Sequence, residues 1–377
     1  MNITLIIILL AVFGLISLIL FFTLRSGTTP KTTESLYSDG LQLLLDGDLT
    51  AAADKLKAVV RKDTNHVDAY IKLGDIFREN AQYTQALKVH QSLTVRRNLF
   101  PGQRIDIYLS LVRDYEALGE YEKALQTAEK ILETDKKNIK GLNAELRIYQ
   151  AMDHWDAAVE TLKTIQKLTN AENQALVALY RVQEGLILEE KGEAREGRIR
   201  YRKALKIDPR CCAALYYLGN SYDREERVEE AVENWEKFGE ICPELLYLVS
   251  EKIEQHMFEL GNFGEIERYY RRLLESNPAN IEAAAGIASF YDKKGQTDNA
   301  ILAIENAMGE NPDSVRARLL LSKLYNKKKA HDKLEEQLDA ILSDISQQQT
   351  FRCEECGATF PEIRWLCPEC YHRHLPK

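Results

Sequence analysis

From residue 33 to near residue 346 the sequence repeats itself at a spacing of about 34 residues, and that period decides the fold class before any single residue does. A unit of this length holds one helical hairpin. Its apolar face cannot be buried within the unit and is covered only when the next unit stacks on it. The register is clearest over 212–245, where Leu215, Leu218-Gly219, Tyr222, Ala231, Trp235, Phe238 and Pro243 occupy repeat positions 4, 7 and 8, 11, 20, 24, 27 and 32. The same register fits His66 onward (Tyr70, Leu73-Gly74, Phe77, Ala86, Leu93) and Ile105 onward (Tyr108, Leu111, Tyr115, Gly119, Ala124, Ile131). Units begin near residues 33, 67, 105, 139, 178, 212, 247, 281 and 315, nine in all. Asp208-Pro209, Asn277-Pro278 and Asn311-Pro312 close units at points where proline cannot continue a helix.

These positions resemble those of the tetratricopeptide repeat, which implies an all-α superhelical solenoid. Small residues at positions 8 and 20, such as Gly40, Gly74, Gly185 and Gly219 with Ala52, Ala86, Ala158 and Ala231, let the two helices of a hairpin approach closely. Insertions of about four and five residues precede the third and fifth units, around 98–104 and 171–177; they are expected to change the superhelical stacking locally and can present loops. The ninth unit lacks the signature Gly and Ala, as suits a capping repeat. The first helices are expected to line a concave groove carrying Asp75, Arg78, Arg113, Glu116, Arg147, Tyr216, Asn220, Asp223 and Arg224, which reads either as a peptide groove or as an ordinary solvated surface. Position 9 carries a single Asn, Asn220, which argues against the paired-Asn carboxylate clamp of some such arrays.

Ahead of the repeats, Ile3 to Leu24 is a run of 22 uncharged residues, 17 of them Leu, Ile, Phe or Val. As a helix the run spans about 33 Å, the hydrocarbon thickness of a bilayer. Its insertion free energy sums to roughly −5 to −10 kcal/mol. A cleaved signal peptide is the rival reading, but Met1 and Asn2 supply no basic n-region. Arg25 and Lys31 follow the run and orient the bulk of the chain toward the cytoplasm of a single-pass protein. Residues 1–25 are therefore read as a transmembrane anchor, 26–33 as a linker, 34–346 as the repeat array and 347–377 as a separate module.

That last module holds Cys353-Glu-Glu-Cys356 and Cys367-Pro-Glu-Cys370, two CxxC pairs ten residues apart. Four thiolates at this spacing can close a tetrahedron around one ion, and Cys353, Cys356, Cys367 and Cys370 are the expected ligands. Softness and geometry admit iron as well as zinc. The competing reading is a pair of unmetallated redox dithiols. Gly357 suits the turn after the first pair, Pro368 stiffens the second, and Phe351, Phe360, Trp365 and Leu366 can cover the site or dock it on the repeats. His372 and His374 are read as surface residues, since a closed tetrahedral site has no vacancy. Cys211, Cys212 and Cys242 fall in helical patterns and are read as small core residues.

The whole chain carries 50 Lys plus Arg against 58 Asp plus Glu, a net charge of −8, which argues against general nucleic-acid binding. The densest basic run, Arg195, Arg198, Arg200, Arg202, Lys203 and Lys206, reads as a solvated face balanced by Glu189, Glu190, Glu193 and Glu196. No phosphate loop, HExxH, GxSxG or Ser/His/Asp arrangement stands out, so the chain reads as a non-enzyme.

An apolar N-terminal anchor, a tetratricopeptide array and a terminal Cys353-x-x-Cys356-Gly357 and Cys367-Pro368-x-Cys370 knuckle, in that order, resemble the lipopolysaccharide assembly protein B family of Gram-negative bacteria. The resemblance implies a rubredoxin-like metal module and a bacterial inner-membrane adaptor. In the family that adaptor promotes degradation of the LpxC deacetylase by the FtsH protease and is linked to lipopolysaccharide assembly and sensing proteins. Tyr371 stands where free-standing rubredoxins usually have glycine in the second knuckle, which favours a structural metal over electron transfer. The alternative function is a redox or electron-transfer protein with iron in the four-cysteine site. Homo-oligomerisation stays open, and Ile3 to Leu24 contains no GxxxG.

Overall fold

The structure, a computed structural model, describes residues 32–310, 314–344, 351–360 and 365–371. The expected anchor at Ile3 to Leu24, most of the 26–33 linker, and His372 and His374 lie outside the described residues. Among the described residues no helix is long and apolar enough to cross a membrane. The chain divides into two compact units, one ending at Met152 and one beginning at Asp153.

The first unit holds α1 (Thr33–Leu45), α2 (Leu49–Lys62), α3 (Val67–Glu79), α4 (Tyr83–Thr94), α5 (Pro101–Ala117), α6 (Tyr121–Thr134) and α7 (Ile139–Ala151). Helix starts follow from the sequence: Thr32, Asp48 and Asn138 accept first-turn amides from Ser35, Ala51 and Gly141 at 3.1, 2.9 and 3.0 Å, satisfying donors that a helix end leaves open. The second unit holds α8 (Trp155–Thr169), α9 (Gln174–Glu190), α10 (Ala194–Ile207), α11 (Cys212–Asp223), α12 (Val228–Ile241), a 3-10 turn (Pro243–Leu248), α13 (Ser250–Glu259), α14 (Phe263–Ser276), α15 (Ile281–Lys293), α16 (Thr297–Glu310), α17 (Val315–Lys328) and α18 (His331–Asp344). A short pair, β1 (Phe351–Arg352) and β2 (Thr359–Phe360), follows.

Four of the described hairpins close on a small-against-large contact. A Cβ built on Gly74 lies 2.3 Å from His90, one on Gly185 lies 2.4 Å from Tyr201, and one on Gly219 lies 2.4 Å from Trp235. Gly40 meets Leu56 more loosely, at 3.3 Å. In every case the large residue follows the glycine by sixteen positions, which brings repeat position 8 against position 24 across the hairpin. The α5–α6 hairpin reverses the sizes: Val112 and Ala128 hold the corresponding positions and are both fully buried in one cluster. The α13–α14 hairpin instead sets Glu254 against Tyr270, whose hydroxyl donates to the carboxylate at 3.0 Å, so the size pairing varies between hairpins while the space stays filled.

The two insertions are taken up in helix. Helix α5 begins at Pro101 and α9 at Gln174, and both run for 17 residues, so the extra residues lengthen first helices by a turn instead of forming loops. Proline at the first helical position loses no hydrogen bond, and the Gln103 side chain accepts the Phe100 amide at 3.4 Å.

Neighbouring hairpins are then registered by ion pairs. In the first unit Arg147 pairs with Glu116 at 3.1 Å, and Arg78 bridges Asp75 at 2.6 Å and Asp114 at 2.8 Å. Asp114 is fully buried and also meets His90 at 2.5 Å. In the second unit Lys252 pairs with Asp223 at 3.0 Å, Lys293 with Glu254 at 2.7 Å and Lys327 with Asp292 at 2.7 Å, while Arg224 pairs with Glu189. The exposed pairs contribute on the order of 0–1 kcal/mol each and act mainly on register, whereas removing a partner from buried Asp114 costs about 3–5 kcal/mol.

The glycine contact gives a direct test by thermal and urea unfolding. Gly219→Ala overpacks the hairpin and is expected to destabilise by about 1–3 kcal/mol. Gly264→Ala, in the first turn of α14 with nothing within 4 Å, is expected to be neutral or stabilising by up to about 1 kcal/mol.

Candidate metal centre

The strands β1 and β2 pair antiparallel, Phe351 opposite Phe360 and Arg352 opposite Thr359, and so bend the chain back over Cys353 and Cys356. The Cys353 amide donates to the Ala358 carbonyl at 2.8 Å, and the Gly357 amide donates to the Cys353 carbonyl at 2.9 Å. The second knuckle repeats the last of these bonds: the Tyr371 amide donates to the Cys367 carbonyl at 2.8 Å. Two similar turns thus present four sulfurs to one point.

The Sγ atoms of Cys353 and Cys370 are 3.5 Å apart, those of Cys356 and Cys367 are 3.6 Å apart, and all four lie within 4.8 Å of one another. A tetrahedral ion with metal–sulfur bonds of about 2.3 Å needs sulfurs about 3.8 Å apart, so the cluster can hold one ion without rebuilding the backbone. Cys353 and Cys367 are buried, at 2 % and 0 % exposure, and Cys356 is exposed. The amide of Cys356 holds the Cys353 thiol down to about 7, while burial pushes the Cys367 thiol up. A bound cation would displace the proton from both, which couples metal affinity to pH.

The turns differ in one respect. Gly357 has φ +75° and Tyr371 φ +55°, so a bulky residue occupies the left-handed region where the first knuckle has glycine. That conformation costs a residue with a Cβ about 1–2 kcal/mol. The Tyr371 ring meets the edge of Trp155 at 6.5 Å between centroids, and Trp365 meets Phe238 edge-on at 6.4 Å. Trp365 packs against the core of the second unit, and Leu366 is 9 % exposed. The knuckle is therefore seated on α8 and α12, and the Tyr371 contact offsets its backbone cost; aromatic pairs of this kind contribute about 0.5–1.5 kcal/mol beyond area burial. The sequence carries no mark for Trp155 as a seat, because Tyr83, Tyr121 and Phe263 hold the equivalent repeat position in other hairpins.

Beside Trp155 lies a cavity of about 400 Å³ lined also by His154, Asp156, Glu184, Lys191 and Arg200. Arg181 bridges Asp156 and Glu184. Burial, reinforced by the hydrogen bond to Asp156, raises the Glu184 carboxyl to about 7, and the same bond leads the forces that lower Asp156.

The groove residues expected from the sequence are mostly spoken for: Arg78, Glu116, Arg147, Asp223 and Arg224 join the inter-hairpin pairs, Asp75 pairs with Arg78 on its own helix, and Asn220 accepts from Lys252 at 3.3 Å. Tyr216 packs on Phe238, and Arg113 is exposed. In the basic run Arg195, Arg202, Lys203 and Lys206 are exposed, as a solvated face requires, while two members turn to more distant acids. Arg198 is buried and pairs with Glu225 at 2.8 Å, Arg200 approaches Glu184 at 3.6 Å, and Arg202 donates to the Tyr222 hydroxyl. Cys211, Cys212 and Cys242 are core residues as expected, but Cys212 and Cys242 are joined as a disulfide across the α11–α12 hairpin, which a reading of each as an isolated small side chain misses.

Tetratricopeptide repeat models match residues 182–237 and 281–314. The chain is similar to lipopolysaccharide assembly protein B of Escherichia coli strain K12, at 23% identity over 89% of this chain and 86% of that protein. It is similar to the protein of the same name from Haemophilus influenzae, at 24% identity over 89% and 87%. A crystal structure of a tetratricopeptide repeat protein from Parabacteroides merdae covers 84% of this chain and 94% of its own, at 17% identity and a TM-score of 0.33. The resemblance read from the sequence is borne out, and the chain is an all-α tetratricopeptide solenoid with a C-terminal four-cysteine cluster able to hold one metal ion.

Two outcomes follow from the geometry. Elemental analysis is expected to give about one ion per chain, lost in Cys353→Ser/Cys356→Ser. Trp365→Ala keeps the ion but releases the knuckle to limited proteolysis. Because the folded Glu184 carboxyl titrates near 7 and the unfolded one near 4.5, the native state holds the extra proton and stability falls as pH rises through that window. Glu184→Gln is expected to flatten that part of the pH–stability curve, read by urea unfolding from pH 4.5 to 8.

Proposed function

We propose that this chain is a non-enzymatic adaptor in the regulation of lipopolysaccharide assembly at the bacterial inner membrane. In this reading Ile3 to Leu24 anchors it, the repeats hold protein partners, and it restrains lipid A synthesis by bringing the LpxC deacetylase to the FtsH protease. The observation that carries the reading is the seating of the four-cysteine knuckle on α8 and α12 in a chain that matches lipopolysaccharide assembly protein B along 89% of its length. A module clamped to a repeat array extends that array's surface, whereas a carrier that must meet changing redox partners gains nothing from being clamped.

Cys353, Cys356, Cys367 and Cys370 would hold iron or zinc, and the ion supplies a crosslink between the two knuckle turns on the order of 10 kcal/mol in folding free energy. A module of so few residues has little core of its own, so that crosslink is what keeps Trp365 and Tyr371 pointed at their seats.

The test uses the source bacterium with its chromosomal copy replaced. Deleting the gene is expected to raise LpxC several-fold by immunoblot, and the full chain restores the normal level. A chain beginning at residue 26 and the Cys353→Ser/Cys356→Ser variant are both expected to fail. Unchanged LpxC in the deletion strain would remove the proteolytic reading.

A further inference from the structure

We propose that Cys212 and Cys242 form a reversible dithiol/disulfide site, oxidised by hydroperoxides, that sets how firmly the metal knuckle is held on the second unit. This goes beyond the adaptor reading and does not depend on it.

The two cysteines meet at the open end of one hairpin. Cys212 opens α11 and Cys242 ends α12, they are 30 residues apart in sequence, and they are bonded with a Cα–Cα distance of 6.4 Å. That spacing lies within the range that accepts a disulfide and equally suits two thiols in contact, so the pair can change state without a backbone rearrangement. Both side chains are buried, at 8 % and 5 % exposure, and Cys211 next to them stays outside the bond. The same chain carries four knuckle cysteines that are unbonded and must be thiolates to ligate a metal. One polypeptide thus holds two groups of sulfurs with opposite redox demands. Both are met if the repeat-array pair cycles while the knuckle stays protected by its metal.

The position gives the cycle a readout. The Cys242 amide donates to the Phe238 carbonyl at 2.8 Å, so the bonded residue closes the same helical turn whose Phe238 ring receives Trp365. Tyr216, one turn after Cys212, also packs on Phe238, with ring centroids 5.8 Å apart. Oxidation ties both helices at the Trp365 seat, and reduction leaves that turn held by packing alone.

The chemistry balances with a hydroperoxide. One cysteine thiolate attacks the terminal peroxide oxygen, breaking the O–O bond to give a sulfenic acid and releasing the alcohol or water. The second thiol attacks that sulfur, the S–S bond forms, and water leaves. A dithiol reductant reverses the bond by two exchange steps and is itself oxidised to a disulfide.

The experiment treats the purified, metal-loaded full chain in detergent with a dithiol, removes it, and adds limiting hydrogen peroxide. Peptides are then mapped by differential alkylation, with metal content followed in parallel. The expected result is a Cys212–Cys242 peptide that appears with peroxide and disappears with dithiol, while the knuckle keeps its ion. Two results would overturn the site: knuckle oxidation and metal loss before any Cys212–Cys242 bond, or a bond that survives the dithiol. Proteinase K then reports on coupling. Release of the knuckle is expected to be several-fold slower in the oxidised native chain, and indifferent to peroxide in Cys242→Ser and in Cys212→Ala. Equal release rates in the two states of the native chain would overturn the coupling.

Discussion

In four of the described hairpins the geometry depends on a glycine meeting a larger residue sixteen positions later. Gly74 against His90, Gly185 against Tyr201 and Gly219 against Trp235 leave no room for even one methyl group, so each hairpin has a single closed geometry. Stacking needs that uniformity. A hairpin with a different opening angle would present a different apolar face to its neighbour, and burial in a repeat array is a nearest-neighbour quantity. Val112 with Ala128 and Glu254 with Tyr270 show that other size pairings also close a hairpin.

With the hairpins set, charge does the next job. The acid of one hairpin meets the base of another along each unit, as in Glu116 with Arg147 and Asp223 with Lys252, and these pairs consume most of the side chains a groove would offer to a partner. Single pairs of this exposure contribute little to stability. Their effect is on register, because a slipped stack would place like charges together. The consequence is that these side chains are engaged within the stack.

The period, the hairpin class and the four-cysteine cluster were legible in the sequence, as were the hairpin starts at 33, 67, 139, 212, 281 and 315, because each is a matter of spacing along the chain. What was not legible depends on contacts between residues that spacing does not connect. The insertions before the third and fifth hairpins look like loops in a repeat alignment, yet Pro101 and Gln174 start helices that absorb them. Within the basic run from Arg195 to Lys206, Arg198 and Arg200 find Glu225 and Glu184 and not the glutamates beside them. Trp155 and Phe238 look like ordinary repeat aromatics, and only the folded knuckle reveals them as seats. Tyr371 was visible as a departure from glycine; its ring contact supplies the physical reason.

The central claim is that knuckle and second unit form one mechanical body, closed by a metal and two aromatic contacts. Native-state hydrogen exchange on the full chain, metal-loaded against chelated, tests it most directly. The account predicts that chelation unprotects the Cys353, Gly357 and Tyr371 amides and, with them, the first turn of α8 and the last turn of α12, while α3 and α4 are unchanged. Exchange confined to the knuckle, with α8 and α12 as protected as before, would contradict it.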